Sequence, residues 1–492
     1  MEKNIVRTRY APSPTGFMHI GNLRTALYEY LISKSLGGKF ILRIEDTDKC
    51  RYVEGAQDVI YSTLKKVGLI HDEGPDIGGD FGPYIQSQRK DIYLKYAMKL
   101  IEEGKAYYCF CDKERLENLK KSEDSLEYGG YDRHCRGLDK SFVDSMLKSN
   151  KPYVIRQKMP IDGSTKFIDE VYGEITVENK ELQDQILIKA DGFPTYNFAN
   201  VVDDYLMGIT HIVRGCEYLS STPKYNLLYE AFGWKIPKYI HLPLIMGKNE
   251  DGSLSKLSKR HGSVSFEDLV NDGYLPQAIV NYIAMLGWCP NDNREIFSLE
   301  DLIKNFSIDR INKSPSVFDY DKLSWFNQEY IKAKSDDDLL QLFTPYIKKS
   351  ISSSNIDYLK IVKTIRNRVT KLSEIPDMID FIQLLPEYKI DLFINKKSKT
   401  NLENSLFVLK KVKERLLKLD IWNHESIHDL LIDMAKEMKL KNGTLMWPVR
   451  IAVSGKLVTP GGAVEILDIL GKDESINRID FGINKLENEG DR

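Results

Sequence analysis

The sequence predicts an α/β nucleotide-binding fold in its first part and helical domains in its last part. Residues 6–10 carry arginine at every second position between Val, Thr and Tyr, which is the periodicity of a β-strand. Residues 23–31 place apolar side chains on one face of a helix, and Gly37 and Gly38 then end that helix. Residues 40–44 begin a second strand. Beyond about residue 335 the pattern is helical.

The loop between the first strand and the first helix is the expected nucleotide site. Free backbone N–H groups and the helix dipole favour phosphate where a strand ends and a helix begins. The chain has no Gly-x-x-x-x-Gly-Lys-Ser/Thr sequence, and this loop carries His19-Ile20-Gly21-Asn22 instead. His19 can donate to a phosphate, and Gly21 leaves room for a ribose or a base. The alternative is a surface histidine beside Asn22 as a helix cap.

A second short segment, Lys256-Leu257-Ser258-Lys259-Arg260, is basic and lies far along the chain. By itself such a segment is more often a solvated loop. Together with His-Ile-Gly-Asn it resembles the paired signatures of class I aminoacyl-tRNA synthetases. The resemblance narrows to the bacterial glutamyl-tRNA synthetase family at Arg-Tyr-Ala-Pro-Ser-Pro-Thr-Gly (9–16), Arg-Ile-Glu-Asp-Thr-Asp (43–48), Tyr-Asn-Phe-Ala-Asn-Val-Val-Asp-Asp (196–204) and residues 447–470.

The resemblance implies a domain order. We expect a Rossmann-type class I synthetase catalytic domain with an inserted α/β acceptor-binding domain, followed by all-helical stem-contact and anticodon-binding domains. The expected bounds are 1–104 and 201–262 for the catalytic domain, 105–200 for the insert, 263–334 for the stem-contact domain, and 335–390 and 391–492 for two anticodon-binding subdomains. Within these bounds the spacing of apolar residues predicts a helix over 47–69 and strands at 153–156 and 174–177.

The resemblance also implies which residues bind the amino acid. Arg9 and Arg214 are expected at strand ends, where guanidinium forks would bind the two carboxylates of a dicarboxylic substrate, and which fork meets which carboxylate stays open. Glu45 would hold the α-amino group. Glutamine would be rejected because its amide cannot accept both prongs of an arginine. The expected amino-acid pocket is Arg9, Ala11, Ser13, Glu45, Tyr196, Asn200 and Arg214.

The expected ATP site combines the two signatures. Lysine in the second segment would neutralise charge on the α-phosphate and the departing pyrophosphate, which is an electrostatic role without covalent chemistry. The candidate catalytic residues are His19, Lys256 and Lys259. The candidate ATP-binding residues are His19, Gly21, Glu217, Lys256 and Lys259.

Four residues form a candidate zinc site: Cys109, Cys111, His134 and Cys135. Two thiols two residues apart, with further soft ligands about 25 residues on, could give a four-coordinate zinc site. Some members of the family carry a Cys-x-Cys pair followed by Cys-x-His. Here Gly137 stands in the place of the last histidine, and three free thiols are the alternative to a zinc site.

Arg368, Arg450 and Thr459 match anticodon-reading positions of the family. Arginine can hydrogen-bond base edges and stack on splayed bases, whereas the mixed charges at 409–417 are expected to form a solvated helix face. The whole chain of 492 residues has a net charge of -2, so a nucleic-acid surface must be a local patch.

Composition and the N-terminus predict a cytoplasmic protein. Hydrophobic residues make up 42% and charged residues 29% of the chain, which is typical of a soluble chain of several domains. No apolar run approaches the roughly 20 residues of a membrane span. The first residues lack the apolar stretch of a signal peptide. The six cysteines are therefore expected to be reduced.

The resemblance implies a two-step reaction. L-glutamate and ATP, with Mg²⁺, would give glutamyl-adenylate and pyrophosphate, and the 3′ end of tRNA(Glu) would then take the glutamyl group. Charging of tRNA(Gln) stays open, a monomer is expected, and activation is expected to need bound tRNA. The alternatives are a truncated relative that glutamylates a modified base, a glutaminyl enzyme with a C-terminal β-barrel, a small-molecule nucleotidyltransferase, and an inactive RNA-binding paralogue.

Overall fold

The computed structural model describes residues 5–48, 53–121, 131–353 and 355–489. The chain divides into two compact units. The first unit comprises Met1–Leu269 with Ile279–Asp319, and the second comprises Val270–Ala278 with Tyr320–Arg492. Among the described residues, no helix combines the length and the apolar character that crossing a bilayer requires.

Parallel strands form the centre of the first unit. The described strands of this unit, parallel and antiparallel together, are β1 Arg7–Tyr10, β2 Lys39–Leu42, β3 Ala106–Cys109, β4 Val154–Gln157, β5 Ser164–Asp169, β6 Gly173–Glu178, β7 Ile186–Ile188, β8 His211–Gly215, β9 Lys238–Leu242, β10 Ile245–Lys248, β11 Leu254–Lys256 and β12 Ser316–Val317. β1 pairs with β2 and β8 pairs with β9, both in parallel. Every residue of β1 is buried, as in sheets covered on both faces.

β1 and β8 lie side by side and run in the same direction. The backbone N–H of Thr210 donates to the carbonyl of Arg7 at 2.9 Å, and Arg9 reaches the carbonyl of Val213 at 3.5 Å. The carboxyl ends of β1, β2, β8 and β9 therefore meet at one edge of the unit. In open parallel sheets this edge is where ligands bind.

Helices pack around these strands. The predicted first helix is present as Ile20–Ser35, but the predicted helix over 47–69 is wrong in its first part. That helix is Ala56–Lys66, and it begins after Gly55, whose φ of 78° ends any helical path from the N-terminal side. Residues 49–52 lie outside the described residues. Among the described residues, the helices that begin before residue 319 are Ile20–Ser35, Ala56–Lys66, Lys90–Glu102, Lys113–Lys121, Lys140–Lys148, Tyr196–Leu206, Thr222–Phe232, Phe266–Asn271, Pro276–Met285 and Leu299–Asn305.

The chain between β2 and β8 contains a mixed α/β region, and both predicted strands in it are confirmed. They are observed as β4 and β6. β4 lies between β3 and β7 in an antiparallel sheet, while β5 pairs with β6 and, through Asp169, with β9. The carboxylate of Asp169 also accepts from the backbone N–H of His241 at 3.1 Å, so it lies near the carboxyl end of β9.

A buried carboxylate ties β1 to the segment after the second helix. Glu73 accepts from Arg7 at 2.8 and 2.9 Å, from Tyr84 at 2.7 Å and from Lys39 at 3.2 Å. Burial by itself would raise the pKa of Glu73, but the hydrogen bonds from these three side chains outweigh it and lower the pKa to about 2.

The Glu73 site gives a pH-dependent prediction. Because the folded pKa is about 2 and the ordinary value is 4.5, the stabilisation is fully present above about pH 4.5 and is lost as the pH falls towards about 2. We expect Glu73→Gln to lower the free energy of unfolding by about 3 kcal/mol at pH 7 and by about 1 kcal/mol at pH 3. Denaturant unfolding of both proteins at the two pH values measures this. An equal difference at both values would contradict the assignment.

The second unit is helical, as predicted. Its helices from residue 320 onward are Tyr320–Lys332, Asp336–Ser350, Tyr358–Ile365, Ile375–Gln383, Leu402–Leu417, His424–Glu437, Asn442–Ser454, Ala463–Leu470 and Lys472–Glu489. Its described residues contain no strand beyond an isolated bridge between Asn395 and Thr400. The C-terminal β-barrel expected for a glutaminyl enzyme is therefore absent from the described part of this unit.

Candidate functional site

The two signature segments lie against each other at the strand-end edge. The backbone N–H of Ile20 donates to the carbonyl of Val264 at 2.9 Å, just after the second segment. Burial lowers the pKa of His19, a hydrogen bond to the Leu257 backbone opposes this, and the charge on Lys256 adds to the lowering. His19 is thus a half-buried, neutral side chain that faces the basic loop.

His19 itself caps the first helix, which differs from the alternative interpretation, a surface histidine beside Asn22 as the cap. Its Nδ1 accepts from the backbone N–H of Gly21 at 3.0 Å. Because Nδ1 is the acceptor, the proton of the neutral ring lies on Nε2. Gly21 lies beside this ring. Because glycine has no side chain, it leaves the start of the helix open to a phosphate.

His261 holds the basic loop in shape, a role that the sequence did not indicate. Its Nδ1 accepts from the backbone N–H of Ser258 at 3.0 Å, and its Nε2 lies 2.9 Å from Asn249 Oδ1. A Cβ at Gly247 would lie 2.5 Å from the His261 ring, so glycine is required there. The ring thus orders the turn that presents Lys259.

The three charged ATP-site candidates lie in and beside this loop. Lys256 ends β11 and lies 3.6 Å from the carboxylate of Glu217, which follows β8. Lys259 begins a short 3₁₀ turn and is exposed. It forms no ion pair with any residue that the structure describes. Lys259 is therefore a cation that is available to a bound phosphate.

A network of buried charges lies at the strand-end edge. Asp204 Oδ1 accepts from Arg9 Nε at 3.0 Å and from Arg43 Nη1 at 2.7 Å. Arg9 Nη1 also donates to Glu29 Oε1 at 3.0 Å. Asp204 and Arg43 occur in the strings that carry the family resemblance, but their pairing was not predicted. Arg9 is thus held by two carboxylates at the end of β1.

Glu45 is a buried carboxylate at the end of β2. Arg43 Nη2 donates to it at 3.0 Å and Gln86 Nε2 at 3.3 Å. Burial raises the pKa of Glu45 to about 7, although Arg43 and Arg9 act in the opposite direction. A cation placed beside this carboxylate would favour its charged form, which suits an ammonium group.

Arg214 is aimed by a chain of buried side chains that the sequence did not reveal. Its Nε donates to His241 Nε2 at 3.1 Å, and its Nη2 donates to Thr222 Oγ1 at 2.9 Å. His241 Nδ1 lies 2.6 Å from Asp169 Oδ2. Burial lowers the pKa of His241, so the neutral ring donates from Nδ1 to Asp169 and accepts from Arg214.

Tyr196 completes the pocket at the start of the helix Tyr196–Leu206. Burial raises the pKa of its hydroxyl, Glu45 raises it further, and Arg214 opposes, so this hydroxyl lies near both charged groups. Asn200 Nδ2 donates to the Tyr196 carbonyl at 3.0 Å. The fold thus brings the predicted amino-acid residues to one edge.

The loop after β1 closes the same edge. The backbone N–H of Glu45 donates to the carbonyl of Pro12 at 3.0 Å, which holds the loop against the end of β2. Ala11 is partly exposed and Ser13 is exposed on either side of this contact. Both residues therefore flank the contact with Glu45, and their part in the amino-acid pocket stays a prediction.

Comparison with known families covers both units. Residues 5–325 match the model described as tRNA synthetases class I (E and Q), catalytic domain, and residues 338–483 match an anticodon binding domain. The chain is 59% identical to the glutamate–tRNA ligase of Clostridium kluyveri, over 98% of this chain and 99% of that protein. The chain belongs to the glutamate–tRNA ligase family.

Other members of the family agree with this assignment. The glutamate–tRNA ligase of Clostridium tetani is 57% identical over 99% of each chain. The crystal structure of a glutamate tRNA ligase from Elizabethkingia meningosepticum, in complex with its amino acid, matches with a TM-score of 0.89 and 35% identity over 98% of this chain and 99% of that chain. The predicted family and fold class are confirmed.

The helical unit contains a cavity of its own. This cavity has a volume of about 790 Å³ and is lined by Arg368, Pro460 and Gly461 among others. Arg450 Nη1 donates to Thr459 Oγ1 at 2.9 Å, and its guanidinium lies 4.5 Å from the centre of the Trp447 ring. The three predicted anticodon residues therefore lie in or beside one cavity.

Three cysteines lie together at the end of β3. The Sγ atoms of Cys109, Cys111 and Cys135 lie within 4.8 Å of one another. Tyr131 Oη lies 3.1 Å from Cys109 Sγ and 3.9 Å from Cys111 Sγ. His134, predicted as the fourth ligand, is exposed and lies outside this group of described ligand atoms.

Proposed function

We propose that this chain attaches L-glutamate to the 3′ end of tRNA(Glu), with ATP as the energy source and glutamyl-adenylate as the intermediate. The observation that supports this most directly is the burial of Arg9, Glu45 and Arg214 at the strand-end edge that also carries His19 and the basic loop. Two cations and one anion in this arrangement complement glutamate, which carries two carboxylates and one ammonium group.

The chemistry needs positioning and charge stabilisation. Arg9 and Arg214 hold the carboxylates of glutamate, and Glu45 holds its ammonium group, so the α-carboxylate faces the α-phosphorus of ATP. His19 would exchange its hydrogen bond with the Leu257 backbone for one that it donates from Nε2 to a phosphate. Lys259 and Lys256 stabilise the negative charge that develops as pyrophosphate leaves.

Magnesium supplies charge neutralisation on the phosphates of ATP when it is bound. Glu217 lies 3.6 Å from Lys256 at the same edge and would orient this lysine before ATP enters. The cytoplasmic location, the monomeric state and the domain bounds stay predictions from the sequence.

Charging assays with three transcripts test the proposal. We expect the protein to charge tRNA(Glu) with glutamate in the presence of ATP, and to leave an unrelated tRNA uncharged. A tRNA(Gln) transcript in the same assay decides whether charging extends to that tRNA. Failure to charge either transcript, by protein whose folding is verified by circular dichroism, would overturn the proposed function.

The helical cavity supports a proposal for anticodon recognition. Arg368 is exposed at its wall, so its guanidinium can meet a splayed base. Arg450 is oriented by Thr459, which in turn donates to the carbonyl of Gly461 at 2.7 Å. We propose Arg368 and Arg450 as base-reading residues and Thr459 as the residue that positions Arg450.

The three-cysteine group fits a structural zinc ion in its donor set. Thiolates are preferred zinc ligands, and three of them with one oxygen donor would complete a tetrahedral site. We propose Cys109, Cys111 and Cys135 as the ligands, with the Tyr131 hydroxyl as the neighbouring oxygen donor. Such an ion would stabilise this part of the insert and would take no part in the reaction.

Metal analysis tests the zinc proposal. We expect about one zinc per chain by elemental analysis, and loss of that zinc in Cys135→Ser, because two thiols hold zinc more weakly than three. The exposed Cys289 gives the control, since Cys289→Ser should keep the zinc. A zinc content near zero in protein purified without chelator would show free thiols instead.

A further inference from the structure

Five lysines form one exposed surface in the helical unit, here called the lysine surface: Lys396, Lys397, Lys399, Lys439 and Lys441. None of the five forms an ion pair with a residue that the structure describes. Unpaired like charges that lie close together repel one another and attract a polyanion. With a net charge of -2 for the whole chain, this is a local concentration of positive charge.

Backbone contacts hold the lysine surface together. Asn395 and Thr400 close a tight loop through backbone hydrogen bonds of 3.2 and 3.0 Å, and this loop carries three of the lysines. The carbonyl of Ser398, at its tip, accepts from Thr444 Oγ1 at 2.7 Å. The loop is thus docked on the first turn of the helix Asn442–Ser454, directly after the other two lysines.

Two of the lysines stand where the backbone disfavours them. Lys399 has a φ of 55° and Lys439 a φ of 56°, a region that glycine and asparagine adopt more readily. Both side chains are exposed, so these backbone positions present two lysines to the solvent.

Lysines on a neighbouring helix behave differently. On Leu402–Leu417, Lys410 lies 2.6 Å from Glu487, Lys411 lies 3.1 Å from Glu414, and Lys413 pairs with Asp480. Their charges are neutralised within the protein, so this helix has little attraction for a polyanion. The contrast separates the lysine surface from the ordinary charged exterior of the unit.

The lysine surface continues into the proposed anticodon site along one helix face. Thr444 contacts the lysine loop, Trp447 Nε1 donates to the carbonyl of Leu392 at 2.9 Å, and Arg450 stacks on Trp447. These positions follow the spacing of one helix face. From Lys441 to Arg450 the helix rises by about 14 Å, a distance that several consecutive phosphates span.

We propose that the lysine surface binds the phosphate backbone of the anticodon arm of tRNA, an inference that rests on the proposed function. Phosphate contacts of this kind set the register of the RNA and carry no sequence information themselves. The lysines would hold the anticodon arm so that its bases reach Arg368 and Arg450.

Salt-dependent binding of a tRNA(Glu) transcript to the full chain tests the inference. The test variant carries Lys397→Gln, Lys399→Gln and Lys441→Gln. It should bind at least tenfold more weakly at about 0.1 M salt, and its slope of log Kd against log salt should fall by about 2, because each lost phosphate contact removes about 0.7–0.9 from the slope.

The matched control removes the same number of charges from paired lysines, with Lys410→Gln, Lys411→Gln and Lys413→Gln. It should bind within about twofold of the unchanged chain. Absence of tRNA binding by the unchanged chain would overturn the proposed function. Normal binding by the unchanged chain with equal slopes for both triple variants would overturn the lysine surface alone. A third outcome would also overturn the lysine surface as a tRNA site. In it, the test variant loses binding to vesicles of anionic lipids but binds tRNA as well as the unchanged chain does.

Discussion

Replacing Asp204 with asparagine is expected to lower the free energy of unfolding by about 3–5 kcal/mol. Asp204 is fully buried and accepts from two arginines, Arg9 at 3.0 Å and Arg43 at 2.7 Å. Burial would raise the pKa of Asp204, but the two arginines outweigh it and lower the pKa, so the carboxylate is charged. Removal of this charge leaves two buried guanidinium groups undercompensated, which is the costly way to break a buried ion pair.

Calorimetry of both proteins measures this effect, which corresponds to a decrease of about 5–8 °C in the Tm of the affected unit. Asp433→Asn is the control, because Asp433 makes an exposed pair with Lys436 at 3.0 Å and such pairs contribute less than about 1 kcal/mol. The buried network would be refuted if Asp204→Asn and Asp433→Asn changed the Tm equally.

Lys259→Ala is expected to lower glutamate activation by about 10²–10³-fold with no change in Tm. The side chain is exposed and forms no ion pair with a described residue, so its removal costs little stability. In the reaction it would stabilise the charge that develops on the phosphates, and loss of one such group typically costs this factor. The kcat for ATP–pyrophosphate exchange measures the loss.

Lys248→Ala is the matched control for Lys259. Lys248 ends β10, is also exposed, and lies outside the loop that His19 faces. We expect the exchange activity of Lys248→Ala to stay within about twofold of that of the unchanged chain. Equal activity of Lys259→Ala and Lys248→Ala would show that Lys259 takes no part in the reaction.

The sequence predicted Arg9, Glu45 and Arg214 as site residues but did not indicate the side chains that orient them. Arg214 was expected from a short string at a strand end. The relay behind it joins Asp169 to His241 across 72 positions and then reaches Arg214 across 27. No local pattern marks such partners, because their proximity arises only when β5 and β9 pair.

Charge pairing inside one predicted string was also hidden. Asp204 was part of the motif that carried the resemblance, yet sequence does not indicate that it bridges Arg9 and Arg43. That bridge forms because the fold brings Asp204, on the helix Tyr196–Leu206, to Arg9 on β1 and to Arg43 just after β2. Burial depth, which decides the strength of such a pair, is a property of the packed fold.

The zinc candidate shows how a local pattern can mislead. His134 was chosen because it is the histidine nearest to Cys135 in the sequence. The structure places His134 at the surface, and the residue that reaches the thiols is Tyr131, four positions before Cys135. Arg133, which lies between Tyr131 and His134, has a φ of 58°, and the backbone changes direction there.

The central claim is that this crevice activates glutamate. ATP–pyrophosphate exchange in the presence of tRNA(Glu), with glutamate or glutamine as the amino acid, tests it most directly. The arrangement of Arg9, Glu45 and Arg214 predicts exchange with glutamate and at least a 10³-fold lower kcat/KM with glutamine, because the glutamine amide leaves one arginine without a carboxylate. No exchange with glutamate, or equal exchange with glutamine, would contradict the account.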